Sequence, residues 1–229
     1  MTPPRSRAAQ AQAQALEPSW ELPRGRHRLP REVTEQHQRD RLIAGVATAI
    51  AEHSYRNLTV GHVIAAAGVS RATFYKNFEN GEEAVVAAHE AIFERFLGLV
   101  FRACNAASEW PFKVRSVIEA TLDYAAAEPA QVGLLTLDPL SANVEMTQHV
   151  LASTEHLAAL LSRGRALSEE AAALPELTEK SVVGALTAIV SSRIANGEAE
   201  RLPELAPQLV ELTLTPYVGA GEAKRVACK

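Results

Sequence analysis

Apolar residues recur every three or four positions through most of this chain, which is the spacing of an amphipathic helix. The first such stretch predicts a helix over residues 35–53, with Thr34 as its N-cap and a break at residues 54–58. The apolar positions of this helix are Leu42, Ile43, Val46, Ala47 and Ile50.

Two short helices are predicted next, separated by a four-residue turn. Thr59 is the candidate N-cap of the first helix, and its apolar stripe is Val60, Val63, Ile64 and Ala67. A hydroxyl at the N-cap accepts a hydrogen bond from an otherwise unpaired backbone N–H, so Thr59 is a suitable first residue.

The turn and the second short helix have equally specific residues. Gly68 can take the left-handed conformation that ends a helix, and Val69 is apolar. Ser70 can cap the following helix, on which Phe74 and Phe78 lie one turn apart. The pattern is that of a helix-turn-helix.

A long helix follows this motif. Asn80 and Glu83 have the spacing of a capping box, with Asn in place of Ser or Thr. The apolar stripe then continues to about Cys104 through Val85, Ala88, Ile92, Phe96 and Val100.

The rest of the chain also has the helical period. We predict helices over residues 112–127, 142–161, 178–196 and 203–218, one or two turns before Pro139, and a polar connector over 163–175. No strand pattern or internal repeat is present, so the predicted fold is all-α.

Composition and the termini restrict the class of protein. Residues 1–32 are rich in Pro, Ala, Gln and Arg and are predicted to form a disordered basic arm, while residues 221–229 are predicted to be a flexible tail. The first twenty residues lack the apolar run of a signal peptide, although their two arginines and single acid leave a transit peptide conceivable. We expect a cytoplasmic protein without a membrane span. Two cysteines and no CxxC exclude a disulfide framework and argue against structural zinc.

The charge of the chain is uneven. Residues 1–79 contain 11 basic and 7 acidic residues, whereas residues 80–229 contain 12 and 20. A basic front and an acidic remainder predict that a polyanion would bind the front.

The helix-turn-helix supplies groups that suit DNA. Arg71 can pair with guanine through two hydrogen bonds, and Thr73 can contact a base edge or a thymine methyl. Tyr75, Lys76 and Asn77 are polar donors suited to phosphates. A plain helical corner without a DNA partner has the same spacing, so this alternative stays open at the level of the pattern.

The stretch T-V-x-x-V-x-x-x-A-G-V-S-R-x-T-F-Y-x-x-F, from Thr59 to Phe78, resembles the DNA-binding domain of the tetracycline-repressor (TetR) family of transcription regulators. The similarity covers residues 39–84, about a fifth of the chain. It implies an N-terminal three-helix domain over 33–80, joined by the long helix to an effector-binding and dimerisation domain over 81–220.

The resemblance also implies roles for individual residues. The implied DNA contacts are Thr59, Ser70, Arg71, Thr73, Tyr75, Lys76 and Asn77.

The sequence departs from the family pattern at several positions. Gly is usual where Ser54 stands, a small residue where Ile64 stands, and His often replaces Asn77. A phosphate-binding Lys often stands at the position of Gly81, and the arginines of the arm, Arg26, Arg28 and Arg31, are candidate substitutes that would read the minor groove.

The later helices are expected to serve dimerisation and effector binding, as the resemblance implies. The last two long helices would pair in a homodimer, which matches a palindromic operator. The candidate effector-binding residues are Phe93, Phe96, Trp110, Tyr124 and His149. No cofactor and no metal site is expected, because the histidines lack a Glu-x-x-His partner.

The hypothesis from the sequence is therefore a homodimeric DNA-binding transcription regulator, a repressor that a small-molecule effector releases from its operator. Two alternatives remain: a helical adaptor that binds protein through the same corner, and a helical ligand-binding protein without DNA function. An enzyme is not expected, because GxGxxG, P-loop, GxSxG and HExxH motifs are all absent.

Overall fold

The computed structural model describes residues 31–136 and 144–228, and these residues form ten α-helices and three short 3₁₀ segments without a strand. The all-α prediction is confirmed. The helices are α1 Arg31–His53, α2 Val60–Ala67, α3 Arg71–Asn77, α4 Gly81–Asn105, α5 Trp110–Ala127, α6 Pro129–Leu135, α7 Val144–Leu161, α8 Glu169–Ala172, α9 Thr178–Ala195 and α10 Ala206–Ala227. The 3₁₀ segments are Tyr55–Asn57, Ser162–Leu167 and Ala199–Leu205.

Helix α1 begins four residues before the predicted start. Thr34 therefore lies in its first turn and is not its N-cap, and Arg31 is the first helical residue instead of the end of the arm. From residue 31 to residue 44 the sequence has neither Gly nor Pro, so nothing prevents the helix from extending back to Arg31. Arg26 and Arg28 lie outside the described residues. The chain divides into two units, 1–39 and 40–229, and all contacts below belong to the second.

The predicted ends of the short helices are confirmed. The Thr59 hydroxyl accepts the backbone N–H of His62 at 3.2 Å, and the Ser70 hydroxyl accepts that of Thr73 at 3.0 Å. Gly68 ends α2 in the left-handed conformation, with φ 60° and ψ 39°. These local interactions set the start and end of each helix, because each one satisfies a backbone group that the helix leaves unpaired.

The start of α4 is fixed by a reciprocal pair of hydrogen bonds. Asn80 Oδ1 accepts the backbone N–H of Glu83 at 2.9 Å, and the Glu83 carboxylate accepts the backbone N–H of Glu79 at 2.6 Å. The predicted Asn80–Glu83 pair is confirmed, with the Glu83 side chain bonded one residue before the N-cap. From this start α4 continues for 25 residues.

Helices α1 to α4 enclose one buried hydrophobic cluster. Phe74 and Phe78 are buried in it, as the sequence predicted. Helix α1 approaches α2 closely at Gly45, where an added Cβ would lie 2.7 Å from the Cβ of Ala67. The same cluster includes three residues of the later helices α6 and α7, which are Leu134, Met146 and Val150.

The remaining helices, α5 to α10, are called the body below. Its second buried cluster combines residues of α5, α6, α9 and α10 with Leu202. Helix α5 begins at Trp110, two residues before the predicted start, and packs against both α4 and α10.

The connector predicted over residues 163–175 is mostly helical, so that prediction is wrong. It contains a 3₁₀ segment and α8, and Arg165 holds them through a bidentate pair with Glu179, both N–O distances being 2.8 Å. Arg165 also donates to the carbonyls of Leu174 and Pro175, and the Tyr217 hydroxyl donates to Glu179. The hydrogen bonds from Arg165 lower the pKa of the buried Glu179 carboxyl. The order of charged residues along the sequence does not indicate that Arg165, Glu179 and Tyr217 come together in the fold.

The predicted flexible tail, residues 221–229, is also a wrong prediction as far as the structure describes it. Helix α10 is interrupted at Gly219, which has φ 78° and ψ 160°, but it then resumes and continues to Ala227. Ala223, Val226 and Ala227 are buried in the second cluster, which explains why this short stretch is ordered as a helix. Cys228 behind it is exposed, and Cys104 is partly buried.

Candidate nucleic-acid interface and effector site

Helix α3 has one face in the core and the opposite face in solvent. Phe74 is completely buried, whereas Arg71, Tyr75 and Lys76 are exposed, Tyr75 to 51%. An exposed phenol between two cationic side chains suits the negatively charged backbone of DNA, and Arg71 in the first turn suits a base edge. The structure therefore brings three of the predicted DNA-contacting residues onto one exposed surface.

The other predicted contacts make hydrogen bonds within the motif. The Ser70 and Thr73 hydroxyls are 2.9 Å apart, and the Asn77 amide donates to the Thr73 carbonyl at 2.8 Å. Thr59 caps α2. Ser70 and Thr59 are exposed, while Thr73 and Asn77 are partly buried. Their role in DNA binding stays a prediction, and their role in shaping the motif is visible in these bonds.

Arg41 fixes the turn of the motif, which the sequence reasoning missed. Its guanidinium donates to the carbonyl of Gly68 at 2.7 Å, across 27 residues of sequence. This bond ties α1 to the left-handed residue between α2 and α3. The sequence around Arg41 does not indicate that its partner is the carbonyl of Gly68, because the two residues are far apart in the chain.

Ser54 has an unusual backbone conformation between α1 and α2. Its φ of 64° lies in the region that favours glycine, and it is the non-glycine residue with positive φ among those described. Gly is usual at this position in the TetR pattern, and the positive φ explains this preference, because glycine adopts it without a side-chain clash. The Asn57 amide donates to the Ser54 hydroxyl at 3.3 Å.

Four of the five predicted effector-binding residues belong to one continuous row of rings. Phe93 and Phe96 of α4 have ring centroids 6.4 Å apart, and Phe96 stacks with Tyr124 of α5 at the same distance. His149 of α7 meets the row through His89, whose ring lies 6.2 Å from that of His149 and 6.3 Å from that of Phe93. We call these five rings the aromatic row. His156, on α7, contacts it from the side at Phe93.

Trp110, the fifth predicted residue, lies elsewhere. Its ring packs edge-on against Tyr217 of α10 at a centroid distance of 5.0 Å, and it borders an open pocket of about 800 Å³. Trp110 thus lies apart from the aromatic row, at the contact of α5 with α10, and its role in effector binding stays a prediction.

His89 is the residue of the aromatic row that the sequence reasoning omitted. It is only 1% exposed, and burial together with the charge of His149 lowers its pKa to about 4. The signal was present in the sequence, because residue 89 falls on the apolar stripe between Val85 and Ile92. At the other end of the row, burial and the neighbouring Glu128 raise the pKa of Tyr124 to about 12.

Metal binding and membrane insertion gain no support from the described residues. Within 31–136 and 144–228, no three His, Cys, Asp or Glu side chains are arranged to hold a metal ion. Among the helices in these ranges, none combines the length and apolar composition that a membrane crossing requires.

Comparison with known proteins agrees with this geometry. Residues 42–88 match the family model of bacterial regulatory proteins, tetR family. The fatty acid degradation regulator FadR from Bacillus halodurans is 21% identical, with a TM-score of 0.67 over 79% of this chain and 98% of that one. FadR from Bacillus subtilis, solved with stearoyl-CoA, is 19% identical, with a TM-score of 0.66 over 79% and 98%.

A third solved structure is SmeT, the repressor of the SmeDEF multidrug efflux pump of Stenotrophomonas maltophilia. It is 17% identical, with a TM-score of 0.59 over 78% of this chain and 89% of that one. The comparison with curated proteins finds no match.

The resemblance to the TetR family is confirmed by these findings: that family's model matches the helix-turn-helix region, and the chain has the fold of TetR-family regulators. The family model covers residues 42–88 alone, and the solved structures, at 17–21% identity, extend the likeness in fold over 78–79% of this chain.

Proposed function

We propose that this protein is a homodimeric transcription repressor that binds a palindromic DNA operator through α3 and releases it when a small molecule binds the body. The observation that carries the proposal is the exposed surface of Arg71, Tyr75 and Lys76 on a helix whose other face is buried through Phe74. The fold supports it, since SmeT has the same fold and is described as a repressor.

Titration of DNA by fluorescence anisotropy tests the DNA-binding part. The target is DNA from upstream of the protein's own gene, with shuffled DNA as the control, at two salt concentrations. We expect tight, sequence-selective binding that weakens as salt rises, because phosphate contacts release counterions. Equal binding to both DNAs at low salt, or none, would contradict the proposal and favour a helical adaptor.

Three variants separate the roles of the charged side chains. Arg71→Ala should cost about 1–3 kcal/mol and relax the preference at one base pair, because a bidentate base contact is lost. Lys76→Ala should weaken binding to all sequences and lower the salt slope by about 1. Arg201→Ala is the matched control: it removes the same charge from an exposed position paired with Glu204, outside the helix-turn-helix, and should leave binding unchanged.

The proposed dimer uses α9 and α10. Helix α9 buries Val182, Val183 and Val190 in the body, yet its opposite side exposes the small residues Gly184, Ala185 and Ala188. Leu212 of α10 is 46% exposed. A helix with apolar or small residues on both sides is suited to burial on both sides. One side of α9 packs on the body, and we propose that the other side packs on the same face of a second copy.

Sedimentation of the full chain tests the dimer. Ala188→Glu and Leu212→Glu should each give monomers, because a two-fold interface would bring each introduced carboxylate into the buried contact twice. Leu151→Glu, at a leucine of α7 that is 55% exposed, is the matched control and should remain dimeric. A wild-type monomer at micromolar concentration would contradict the proposal.

The proposed effector site is the aromatic row, and α4 is the proposed connection to α3. Helix α4 contributes Val85 and Ile92 to the cluster around α1–α3 and carries Phe93 and Phe96 of the row. An effector that favours one position of α4 would change the separation of the two α3 helices of a dimer. A coupling of about 1–3 kcal/mol would alter operator affinity roughly 5–150-fold.

A further inference from the structure

The imidazole of His89 has a buried nitrogen for which the described residues supply no hydrogen-bonding partner. His89 is 1% exposed, and its Nε2 makes no hydrogen bond within the described part of the chain. Buried polar atoms in proteins are nearly always paired, because an unpaired one has lost its hydration without compensation. This nitrogen is therefore a specific point at which a hydrogen-bonding group of a ligand would stabilise the protein.

The surroundings of His89 are aromatic. Phe93 lies one turn further along α4, with its ring nearly parallel to that of His89 at an angle of 19°. Phe96 extends the same surface to Tyr124. Phe93 and Phe96 are only partly buried, so part of each ring remains available for contact. Flat aromatic molecules gain both apolar burial and ring–ring contact on such a surface.

The Tyr124 hydroxyl and Nδ1 of His149 each have a polar neighbour. The Tyr124 hydroxyl donates to Gln131 at 3.0 Å, and the Gln131 amide donates to Glu128 at 2.9 Å. Nδ1 of His149 lies 3.6 Å from the Glu90 carboxylate. Among the described residues of the row, His89 thus differs from Tyr124 and His149 in having a buried polar atom that remains unpaired.

The charges near the row favour a neutral ligand. Both ends of the row have a carboxylate, Glu90 beside His149 and Glu128 near Tyr124. The guanidinium of Arg95, which also acts on Tyr124, donates to Asp40 at 2.7 Å. Because burial keeps the imidazole of His89 uncharged at neutral pH, an anion gains no charge partner there.

We propose that the effector is an uncharged aromatic molecule with a hydroxyl group, whose rings lie against Phe93 and Phe96 and whose hydroxyl hydrogen-bonds to Nε2 of His89. This inference rests on the proposed function only in that the body binds an effector. It names the chemical class of that effector and the residue that selects it.

Four probes test the class by calorimetric titration of the full chain without DNA. They are 2-naphthol, the nearly isosteric 2-methylnaphthalene, the anion 2-naphthoate and the flexible alcohol 1-dodecanol. A two-ring probe can contact Phe93 and Phe96 together, since their centroids are 6.4 Å apart. We expect 2-naphthol to bind about tenfold more tightly than each of the others, as one buried hydrogen bond allows. Tighter binding of 2-naphthoate or 1-dodecanol would overturn the proposed class.

Two variants with the same side-chain replacement test the residue. His89→Phe should remove the preference for 2-naphthol over 2-methylnaphthalene while 2-methylnaphthalene still binds. His156→Phe, which changes the exposed histidine beside Phe93, should retain the preference. An unchanged preference in His89→Phe would overturn the assignment.

A measurement on the wild-type protein covers the case in which His89→Phe does not fold. The ¹⁵N NMR signal of Nε2 of His89 should shift on addition of 2-naphthol, because the lone pair or the N–H of this atom becomes hydrogen-bonded. No shift at saturating 2-naphthol would overturn the proposal. Naphthol binding together with a failure to bind operator DNA would refute the proposed function but leave this inference standing, and the reverse outcome would refute this inference alone.

Discussion

The helices of the helix-turn-helix region and three long helices of the body differ in how they begin. Helices α2, α3 and α4 each start with a side chain, Thr59, Ser70 or Asn80, that accepts a backbone N–H. Helices α5, α9 and α10 start without any such bond. The first region is therefore determined by local sequence, and the long helices of the body depend on packing between distant segments.

This difference also affects the sensitivity of each region to change. The Ser70 cap and the buried Phe74 fix the start and the buried face of α3 locally, which suits the proposed contact with a DNA groove. Packing between long helices permits small relative movements without loss of helical structure, which suits a site that responds to a ligand. The following predictions test this comparison, from the largest effect to the smallest.

Gly45→Ala should destabilise the protein by about 3 kcal/mol. The new Cβ would lie 2.7–2.9 Å from Cβ, N and Cα of Ala67, and backbone atoms of a capped helix cannot yield easily. Gly133→Ala in α6 is the control, where no heavy atom lies within 4 Å of the added Cβ. It should be neutral or stabilising by up to about 1 kcal/mol. Urea denaturation measures both, and a neutral Gly45→Ala would show that α1 and α2 separate without cost.

Mild acid should destabilise the protein through His89. The pKa of His89 is about 4 in the folded state against 6.5 unfolded, so the unfolded state binds more protons between these values. Stability should therefore fall as pH drops below 6.5, by about 2 kcal/mol at pH 5. Burial is the main cause of the low pKa of His89, and the nearby His149 ring, 6.2 Å away between centroids, is the second.

The measurement is urea denaturation of the wild type and His89→Phe at pH 7 and pH 5. The variant should lose less stability than the wild type over this interval. Equal losses would mean that His89 gains its proton without cost and that the acid sensitivity of the body arises elsewhere.

Ser54→Gly should stabilise the protein by about 1 kcal/mol. Positive φ costs a non-glycine residue roughly 1–3 kcal/mol, and the weak bond from Asn57 to the Ser54 hydroxyl offsets part of this. Ser54→Ala keeps the strained backbone, loses the bond and should not be stabilising. Thermal denaturation of the three proteins decides, and a gain in Ser54→Ala equal to that in Ser54→Gly would exclude strain as the cause.

Substitution of an N-cap residue should lower the stability in the helix-turn-helix region and can raise it in the body. Ser70→Ala should destabilise by about 1 kcal/mol, because the N–H of Thr73 loses its acceptor. Glu109→Ser should stabilise by about 0.5 kcal/mol, because Glu109 has the extended backbone of an N-cap but makes no side-chain cap bond. Chemical denaturation measures both effects. A loss of stability in Glu109→Ser would show that the start of α5 is fixed by packing around Trp110.

The same contrast explains how much of the structure could be predicted from the sequence. Thr59, Gly68, Ser70 and Asn80 act on residues at most four positions away, so their effect is readable in the sequence alone. The network around Arg165 joins residues up to 38 positions apart, and nothing near Arg165 indicates Glu179 or Tyr217 as partners.

The error at the end of α10 has a similar origin. Helix α10 resumes after Gly219 because Ala223 and Val226 pack against the second cluster, and that cluster is assembled from four distant helices. The row of Phe93, Phe96, Tyr124 and His149 could be proposed from residue type, but its continuity depends on the contact of α4 with α5 and α7.

The hydrophobic cluster shared by α1–α4 and the later helices limits how far this chain can be divided into separate modules. Leu134, Met146 and Val150 belong to the cluster that buries Phe74 and Phe78. A chimera that joins residues 1–80 to the body of another protein of this fold would lose these three apolar partners and expose part of the cluster around Phe74 and Phe78. Grafting of the helix-turn-helix onto another body is therefore expected to require transfer of these three positions as well, or repacking of the α4 face that meets them.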